Sequence, residues 1–239
     1  MNVSDNYRHK WESYWRETAD GTGEAIWDSD PSLTAGPHSE LLLPHADTTR
    51  TIVDLGCGNG TQTRYLATRF TRAVGVDLSH AAVEHARRAA GGAGVEFEQL
   101  DLTDADAVRA LHERLGDTNV YMRAVIHQSE PEARPRVAEA VAELIGTEGR
   151  AFVVELTPAS REVLKRAAGD PAGPGPKLRR VFHHGLKPAD AEDGEIPRLL
   201  GEAGLQVLAE GGTALAQTEN FTDGTRIDLP AHWFVLAAK

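Results

Sequence analysis

The middle of the chain alternates short apolar runs with longer segments in which apolar residues return every three or four positions. Continuous apolar runs are typical of strands buried on both faces, and the longer spacing is typical of amphipathic helices. The runs that predict strands are 51–55, 73–76, 95–100, 120–126 and 151–156. The segments that predict helices are 61–70, 79–90, 104–115 and 135–145.

Residues with capping chemistry mark the ends of several of these helices. Ser79 and Asp104 stand where a side-chain oxygen can accept a hydrogen bond from the first helical turn. Gly116 and Gly146 stand where two helices end. Since parallel strands need a crossover connection, this alternation predicts the α/β class. We expect a doubly wound, mostly parallel seven-stranded sheet with helices on both faces.

The C-terminal part follows a different pattern. The strand-like runs 205–208 and 233–237 are joined without a helical pattern through Asp223-Gly224. They predict an antiparallel hairpin at one edge of the sheet. Residues 169–177 are rich in Pro and Gly and predict a surface loop.

Composition narrows the partners and the compartment. The 239 residues include 25 Lys and Arg against 36 Asp and Glu, a formal charge of -11, so nucleic acid and anionic membranes are repelled on average. Cys57 is the only cysteine, which excludes an internal disulfide and a zinc site of several thiolates. No signal-peptide pattern and no apolar run of roughly 20 residues is present. We expect a cytoplasmic protein that binds neither nucleic acid nor membrane.

The turn after the first predicted strand is rich in glycine. Ligands of open α/β sheets bind beyond the carboxyl ends of the strands, and Gly56, Gly58 and Gly60 let the backbone approach a ligand closely. Asp77 ends the second strand, where an acidic side chain can accept hydrogen bonds from ribose hydroxyls. The alternative is that the glycines only make a turn and Asp77 only caps a helix.

Three motifs in this region resemble those of the class I S-adenosylmethionine-dependent methyltransferases of the small-molecule type. Residues 54–60, Asp-Leu-Gly-Cys-Gly-Asn-Gly, resemble the family's first motif, with Gly-x-Gly-x-Gly spacing instead of the dinucleotide Gly-x-Gly-x-x-Gly. Residues 74–79 resemble the second motif, and Leu100-Asp101-Leu102 resembles the third. The resemblance covers about residues 50 to 157.

The resemblance implies a cofactor, S-adenosylmethionine, with S-adenosylhomocysteine as its product. Asp54 and the backbone of 56–60 would hold the methionine portion, Asp77 the ribose hydroxyls, and Asp101 the adenine amino group. A carboxylate-lined cradle suits a cofactor that carries a sulfonium and an ammonium group. Cys57 is expected to pack, not to react. The predicted cofactor-binding residues are Asp54, Gly56, Cys57, Gly58, Asn59, Gly60, Asp77, Leu78, Asp101 and Leu102.

The end of the fourth predicted strand offers candidate catalytic residues. Arg123 and His127 lie where the family places residues beside the methyl group, and Glu155 ends the fifth strand. An unperturbed histidine is largely neutral at pH 7, so His127 suits a general base for a hydroxyl or amine. A histidine with only a structural hydrogen bond fits the sequence equally well.

The substrate side is predicted from aromatic residues that precede the first strand. Their helical spacing suits a lid over the active site and, equally, ordinary core packing. The candidate substrate-contacting residues are Tyr14, Trp15, Trp27, His127 and His183. We expect no metal site, because His183 and His184 would point apart in an extended chain and no acidic partner is close in sequence.

Together these features predict in-line methyl transfer to an oxygen, nitrogen, sulfur or carbon atom of a small molecule, such as a specialised metabolite. One domain is expected over 1–239: an N-terminal helical lid segment (1–48), a cofactor-binding core (49–157), and a substrate-side insert with the C-terminal strands (158–239). It would be a monomer or a homodimer. The alternatives are a protein or cyclase of this fold that binds S-adenosylmethionine without methyl transfer, and a nicotinamide-dependent oxidoreductase.

Overall fold

A seven-stranded sheet with the order β3-β2-β1-β4-β5-β7-β6 organises the chain. The computed structural model describes residues 3–91, 94–186 and 191–239. The strands are β1 (Ile52–Leu55), β2 (Ala73–Asp77), β3 (Glu96–Gln99), β4 (Asn119–Arg123), β5 (Ala151–Leu156), β6 (Leu205–Asn220) and β7 (Arg226–Ala238). The predicted seven-stranded, mostly parallel sheet is confirmed.

The first five strands are parallel, and their order reverses between β1 and β4. Leu55 of β1 pairs with Val76 of β2 on one side and with Met122 of β4 on the other. The carboxyl ends of β1, β2 and β4 therefore meet at one edge of the sheet, beside the switch point where doubly wound folds bind their ligands.

Helices cover both faces of the sheet. Apolar residues of α5, α6 and α9 form one core with the strands, and α2, α3, α7 and α8 pack into a second core on the other face. The helices are α1 (Val3–Glu17), α2 (Ala35–Leu42), α3 (Thr61–Leu66), α4 (His80–Ala90), α5 (Ala105–Leu115), α6 (Arg134–Ile145), α7 (Ser160–Ala168), α8 (Pro176–His183) and α9 (Glu195–Glu202). A short 3-10 helix spans Pro31–Leu33.

The predicted helix caps are confirmed. The Ser79 hydroxyl accepts a hydrogen bond from the backbone N–H of Ala82, and the Asp104 carboxylate accepts one from Ala107. Gly116 and Gly146 follow the ends of α5 and α6, each with positive φ. Helix α3 ends at Leu66, earlier than the predicted residue 70.

The C-terminal hairpin is antiparallel, as predicted, but much longer than the apolar runs suggested. β6 has 16 residues and β7 has 13, and β7 also pairs antiparallel with β5. Much of β6 alternates partly buried and exposed residues, so its polar positions concealed the strand from a search for apolar runs. A turn around Gly224 joins the two strands.

Strand β4 ends at Arg123, so its predicted extent to residue 126 is wrong. The backbone N–H groups of Val125 and Ile126 donate to the carboxylate of Glu155, at 3.0 and 2.8 Å, and not to a strand. Ala124, with φ of 63°, makes the turn and is the only non-glycine residue with positive φ in the part of the chain that is described. The side chain of Glu155 on β5 thus takes the place of the backbone acceptors that a continued strand would have offered to these two N–H groups.

The segment before β1 contains helices α1 and α2, and α1 lies over the carboxyl edge of the sheet. Glu12 of α1 accepts hydrogen bonds from the Ser79 hydroxyl and the Ala81 N–H, at 2.8 and 3.1 Å. Met1 and Asn2 of the predicted lid segment fall outside the described residues. Within the described ranges, no helix is long and apolar enough to cross a membrane.

Candidate functional site

A cavity of about 510 Å³ opens at the carboxyl ends of β1, β2 and β4. Its walls come from the glycine-rich turn, helix α1, the segment after β4, helices α7 and α8, and the C-terminal hairpin. Twelve of the predicted site residues line it: Trp15, Trp27, Asp54, Gly56, Cys57, Gly58, Asp77, Leu78, Asp101, Leu102, Arg123 and His127.

The glycine-rich turn needs its glycines for conformation and for space. Gly56 and Gly58 have φ of 73° and 56°, which disfavours residues with a side chain. A Cβ at Gly56 would lie 2.6 Å from Cγ2 of Val125, and one at Gly58 would lie 2.8 Å from Cζ2 of Trp15. Gly60 instead faces Phe97 and Ala86, so it serves the packing of the turn against the sheet.

Asp54 is a buried carboxyl at the end of β1. It is 3% exposed, and the hydroxyl of Thr63 donates to its Oδ2 at 2.5 Å. Burial raises the pKa of Asp54 to about 7, against the smaller opposing effects of the Thr63 hydrogen bond and the charge of Arg123. A cation beside this carboxyl would restore its charge near neutral pH.

Asp77 ends β2 and touches the glycine-rich turn. It accepts hydrogen bonds from the backbone N–H groups of Gly58 and Ser79, both at 2.9 Å. Burial nevertheless raises the pKa of Asp77 to about 6. The carboxyl therefore does have a structural role, as the alternative interpretation holds, while it also faces the cavity.

Asp101 follows β3 and pairs with helix α1. Nη2 of Arg8 lies 2.8 Å from Oδ2 of Asp101, and the Thr103 hydroxyl and N–H donate to the other oxygen. Burial opposes ionisation, but these hydrogen bonds outweigh it and hold the pKa of Asp101 below its usual value. The carboxylate that the resemblance assigns to the adenine amino group thus already pairs with a guanidinium from α1.

Asn59 points away from the cavity. Its side-chain N–H groups donate to the Asp28 carboxylate at 2.6 Å and to the Gly21 carbonyl at 3.2 Å. It fastens the glycine-rich turn to the segment after α1. Cys57 lines the cavity but is 8% exposed, and burial raises the pKa of its thiol well above the usual value, which agrees with packing.

His127 and Glu155 form a buried pair at the cavity, with His127 in its wall. Both are 1% exposed, and Nδ1–H of His127 donates to Oε2 of Glu155 at 2.5 Å. Glu155 also accepts the backbone N–H groups of Val125, Ile126 and His127. His127 lines the cavity, and its buried Nε2 has no hydrogen-bond partner among the described residues. The carboxylate therefore fixes the tautomer that leaves an Nε2 lone pair free.

Arg123 brings a positive charge into the same cavity. Its buried Nε has no hydrogen-bond partner within the described part of the chain. Tyr121, whose phenol is 2.9 Å from Nδ1 of His38, lies two residues earlier and also lines the cavity. Burial lowers the pKa of His38 to about 3, so that imidazole is neutral and Arg123 carries the charge of this group.

The N-terminal aromatic residues divide between the cavity and the core. Trp15 and Trp27 line the cavity, whereas Tyr14 is fully buried and lies outside its wall, packed 5.0 Å from the ring of Trp27. Trp15 and Trp27 therefore lie where the lid interpretation needs them, and Tyr14 lies in the core. Tyr7 and Trp11, which share the helical spacing of the aromatic segment, also line the cavity.

The far wall of the cavity is apolar and comes from the C-terminal third of the chain. The predicted substrate-side segment, 158–239, includes this wall, but its individual lining residues were not predicted, because they belong to helix and strand patterns that also suit a core. Gln217 of β6 adds an amide to this wall, whose apolar members are Leu164, Ala167, Leu178, Val181, Phe182, Leu215, Ile227 and Leu229. His183 lies outside the cavity and is exposed, whereas its neighbours Val181 and Phe182 on α8 line the cavity.

His183 and His184 do not point apart as expected. They lie at the end of α8, not in an extended segment, and their ring centroids are 5.1 Å apart. An acidic partner is present as well, because Nε2 of His184 lies 3.0 Å from Oε2 of Glu17. The reason given for expecting no metal at this pair is therefore wrong.

Comparison with known proteins identifies the central part of the chain. Residues 52–149 match the family model described as a methyltransferase domain. A trans-aconitate 2-methyltransferase of Acidovorax ebreus is 38% identical over 87 residues, which are 32% of this chain and 33% of that protein. The match thus spans about a third of the length of this curated relative.

Solved structures extend the likeness to the whole chain. A SAM-dependent methyltransferase of Anabaena variabilis superposes with a TM-score of 0.88 at 23% identity, covering 100% of this chain and 96% of that one. A geranyl diphosphate C-methyltransferase of Streptomyces coelicolor, solved with S-adenosyl-L-homocysteine, superposes with a TM-score of 0.60 at 16% identity over 98% of both chains. Residues 52–149 therefore match a methyltransferase domain, and the chain has the class I fold of the S-adenosylmethionine-dependent methyltransferases.

Proposed function

We propose that this protein transfers a methyl group from S-adenosylmethionine to a small, largely apolar molecule. The observation that carries the proposal is the cavity itself. It joins carboxylates at successive strand ends, a histidine with an unpartnered Nε2, and an apolar wall from the C-terminal hairpin. Such a combination of an apolar pocket with a few convergent polar groups is typical of small-molecule sites.

The residues present fit the cofactor. Asp54 would hold the cationic methionine portion, Asp77 the ribose hydroxyls, and Asp101 the adenine amino group, with Leu78 and Leu102 against the ring. The raised pKa values of Asp54 and Asp77 support this fit, because a cation or a hydrogen-bond donor beside them would favour the ionised forms. When bound, the cofactor supplies an electrophilic methyl group on a sulfonium.

Arg123 would hold a carboxylate at the same end of the cavity. The methionine portion of the cofactor carries one, and a guanidinium with a free buried Nε can donate to it. Arg136 also lines the cavity, but its Nη1 pairs with Glu139 at 2.6 Å on an exposed part of α6. Arg123 is therefore the better placed cation.

His127 would act as the general base for an acceptor hydroxyl or amine. Glu155 holds Nδ1–H and keeps the imidazole ring in one orientation, so that Nε2 is left as an acceptor without a partner among the described residues. Glu155 itself is a positioning residue, because it lies behind His127. The main contribution of the protein is to hold both reactants in line away from water, which Trp15 and Trp27 support by covering the cavity.

The acceptor would occupy the space between the segment after β4 and the hairpin. Leu215, Ile227 and Leu229 offer an apolar surface there, and Gln217 offers an amide for a polar group. This lining favours a compact hydrophobic acceptor, such as a specialised metabolite, over a macromolecule.

Calorimetric titration with S-adenosylmethionine, S-adenosylhomocysteine and NAD tests the cofactor assignment. We expect both adenosyl compounds to bind and NAD to give no heat, and Asp77→Ala should lose most of the affinity for both. Methyl transfer is then tested by incubating the protein with methyl-labelled S-adenosylmethionine and a small-molecule extract. Tight binding of NAD without binding of the adenosyl compounds would contradict the cofactor assignment. Binding of S-adenosylmethionine without formation of S-adenosylhomocysteine would contradict methyl transfer.

A further inference from the structure

Two imidazoles and a carboxylate meet where helix α1 ends beside helix α8. Glu17 is the last residue of α1, His183 is the last residue of α8, and His184 follows it. One ligand atom from each of these residues lies within 4.8 Å of the other two. In the part of the chain that the structure describes, this is the one place where three such side chains converge so closely.

The packing around His184 orients the cluster. Its side chain is 5% exposed, and its ring packs edge-on against Tyr14, with centroids 5.9 Å apart. Its Nε2 faces Glu17 at 3.0 Å, and the ring of His183 stands at 86° to its own. His184 is therefore a fixed ligand, while Glu17 and His183 are exposed and free to adjust.

The donor set has the chemistry of a transition-metal site. Imidazole nitrogens suit zinc, copper and nickel, and two histidines with one carboxylate form a common three-ligand zinc set that leaves a position for water. Ligand atoms around a tetrahedral zinc lie roughly 3.3 Å apart, given metal–ligand distances of about 2.0–2.2 Å. The separation of 3.0 Å between His184 and Glu17 is close to that value, and rotation of the exposed His183 ring brings in the third ligand.

We propose that Glu17, His183 and His184 form a zinc-type metal site that joins helix α1 to helix α8. Both helices line the cavity, with Trp11 and Trp15 on α1 and Val181 on α8. A bound metal would therefore hold the two helices together from outside the cavity. It would not touch the methyl donor or the acceptor, so the proposal stands independently of the proposed function.

Titration of the untagged, full-length chain with Zn²⁺, followed by calorimetry, tests the site directly. We expect one equivalent to bind and to raise the melting temperature, and Mg²⁺ to do neither, because a site with two imidazoles disfavours hard cations. Substitution of Co²⁺ should give the visible absorption bands of a tetrahedral ion with nitrogen and oxygen ligands. Absence of Zn²⁺ binding to the wild-type chain would overturn the proposal.

Variants distinguish this site from weak binding to surface histidines. His183→Ala should weaken Zn²⁺ binding by at least about tenfold, since even residues that only orient a metal ligand contribute about that much. Glu17→Gln should weaken it as well, with the folded state of each variant checked by circular dichroism. The matched control is His232→Ala, which removes another histidine that is paired with a glutamate. Nε2 of His232 lies 3.2 Å from Oε2 of Glu210, and this variant should leave Zn²⁺ binding unchanged. Equal affinity in His183→Ala, or a loss in His232→Ala, would contradict the assignment.

Discussion

The carboxylate of Glu155 has a larger role than its place at the end of β5 suggests. It accepts three backbone N–H groups after β4 and the Nδ1–H of His127. Hydrogen bonds to a charged acceptor contribute more than neutral ones, at about 1.5–3 kcal/mol each. One side chain therefore both ends a strand and aims the candidate base.

Replacing Glu155 by Gln should damage stability and activity together. The amide presents N–H where the carboxylate accepted a hydrogen bond, so the free energy of unfolding should fall by about 2 kcal/mol or more. Urea denaturation measures this loss, and turnover should drop more than cofactor affinity. His127→Asn is the matched control, because it keeps a donor for Glu155 and removes the base. It should stay folded and lose activity, and full activity in His127→Asn would contradict the role of the imidazole.

Asp54→Asn should stabilise the folded protein in a pH-dependent way. The folded-state pKa of Asp54 is about 7, above its usual value, so between about pH 4 and 7 the folded state keeps a proton that the unfolded state has released. The stability of the wild type therefore declines across this window as pH rises, by about 1.4 kcal/mol per unit of pKa difference at most. The variant removes this decline.

Denaturation at a series of pH values tests the effect of Asp54→Asn. The stability difference should be small near pH 4, grow toward pH 7 and then level off, while affinity for S-adenosylmethionine is lost at every pH. A difference that does not change with pH would contradict the shifted pKa. Retained affinity would contradict the role of Asp54 in binding.

At the scale of the elements, helix α1 is fastened to the residues that would bind the cofactor. Arg8 pairs with Asp101, Glu12 caps the beginning of α4, and Trp15 lies over Gly58. Burial favours the protonated form of Glu12, but the hydrogen bonds from Ala81, Ser79 and Arg16 outweigh this effect. The pKa of Glu12 therefore lies below its usual value, and the carboxylate stays ionised. Opening of α1 would therefore break charged contacts beside the cofactor site.

Glu12→Ala should loosen α1 and speed the exchange of cofactor. Loss of the hydrogen bonds to Ser79 and Ala81 removes contacts between α1 and α4, so the dissociation rate of S-adenosylmethionine should rise several-fold. Stopped-flow measurement of tryptophan fluorescence reports this rate, because Trp15 lies in the cavity wall. Glu113→Ala, at an exposed position of α5, is the control and should leave the rate unchanged. An unchanged rate in Glu12→Ala would contradict the proposed lid.

At the scale of the whole molecule, the sheet divides the cavity between two parts of the chain. The parallel strands β1, β2 and β4 present the carboxylates, and the antiparallel hairpin presents the apolar wall. The matched family region, residues 52–149, covers the first part and leaves out the second. Cofactor binding and acceptor choice should therefore respond to different substitutions.

Ile227→Ala should change acceptor use and leave cofactor binding intact. Ile227 is 3% exposed in the hairpin and lines the cavity, so its truncation removes apolar contact area with the acceptor. With the acceptor found by the labelling assay, KM for that acceptor should rise roughly tenfold or more, while the Kd of S-adenosylmethionine stays the same. Val207→Ala, at an exposed position of β6, is the control. Weaker binding of S-adenosylmethionine together with an unchanged KM for the acceptor would contradict this division of the cavity.

The sequence by itself determined the parallel part of the fold and the cofactor side of the candidate site. Alternating apolar runs and helical spacing are local patterns, and the caps at Ser79 and Asp104 act within three residues, so neither depends on distant parts of the chain. Asp54, Asp77 and Asp101 follow successive strands, and parallel strands bring such positions to one edge of the sheet.

Only the tertiary structure decided where β4 ends, which aromatic residues line the cavity, and what the hairpin contributes. Each depends on contacts between distant residues: Glu155 reaches back 28 positions to His127, and His184 meets Glu17 across 167. Tyr14 and Trp15 are neighbours in sequence, yet one enters the core and the other the cavity, because the packing of α1 sets which side of the helix faces each. Local sequence patterns do not predict such contacts, because these contacts form only when the sheet brings distant segments together.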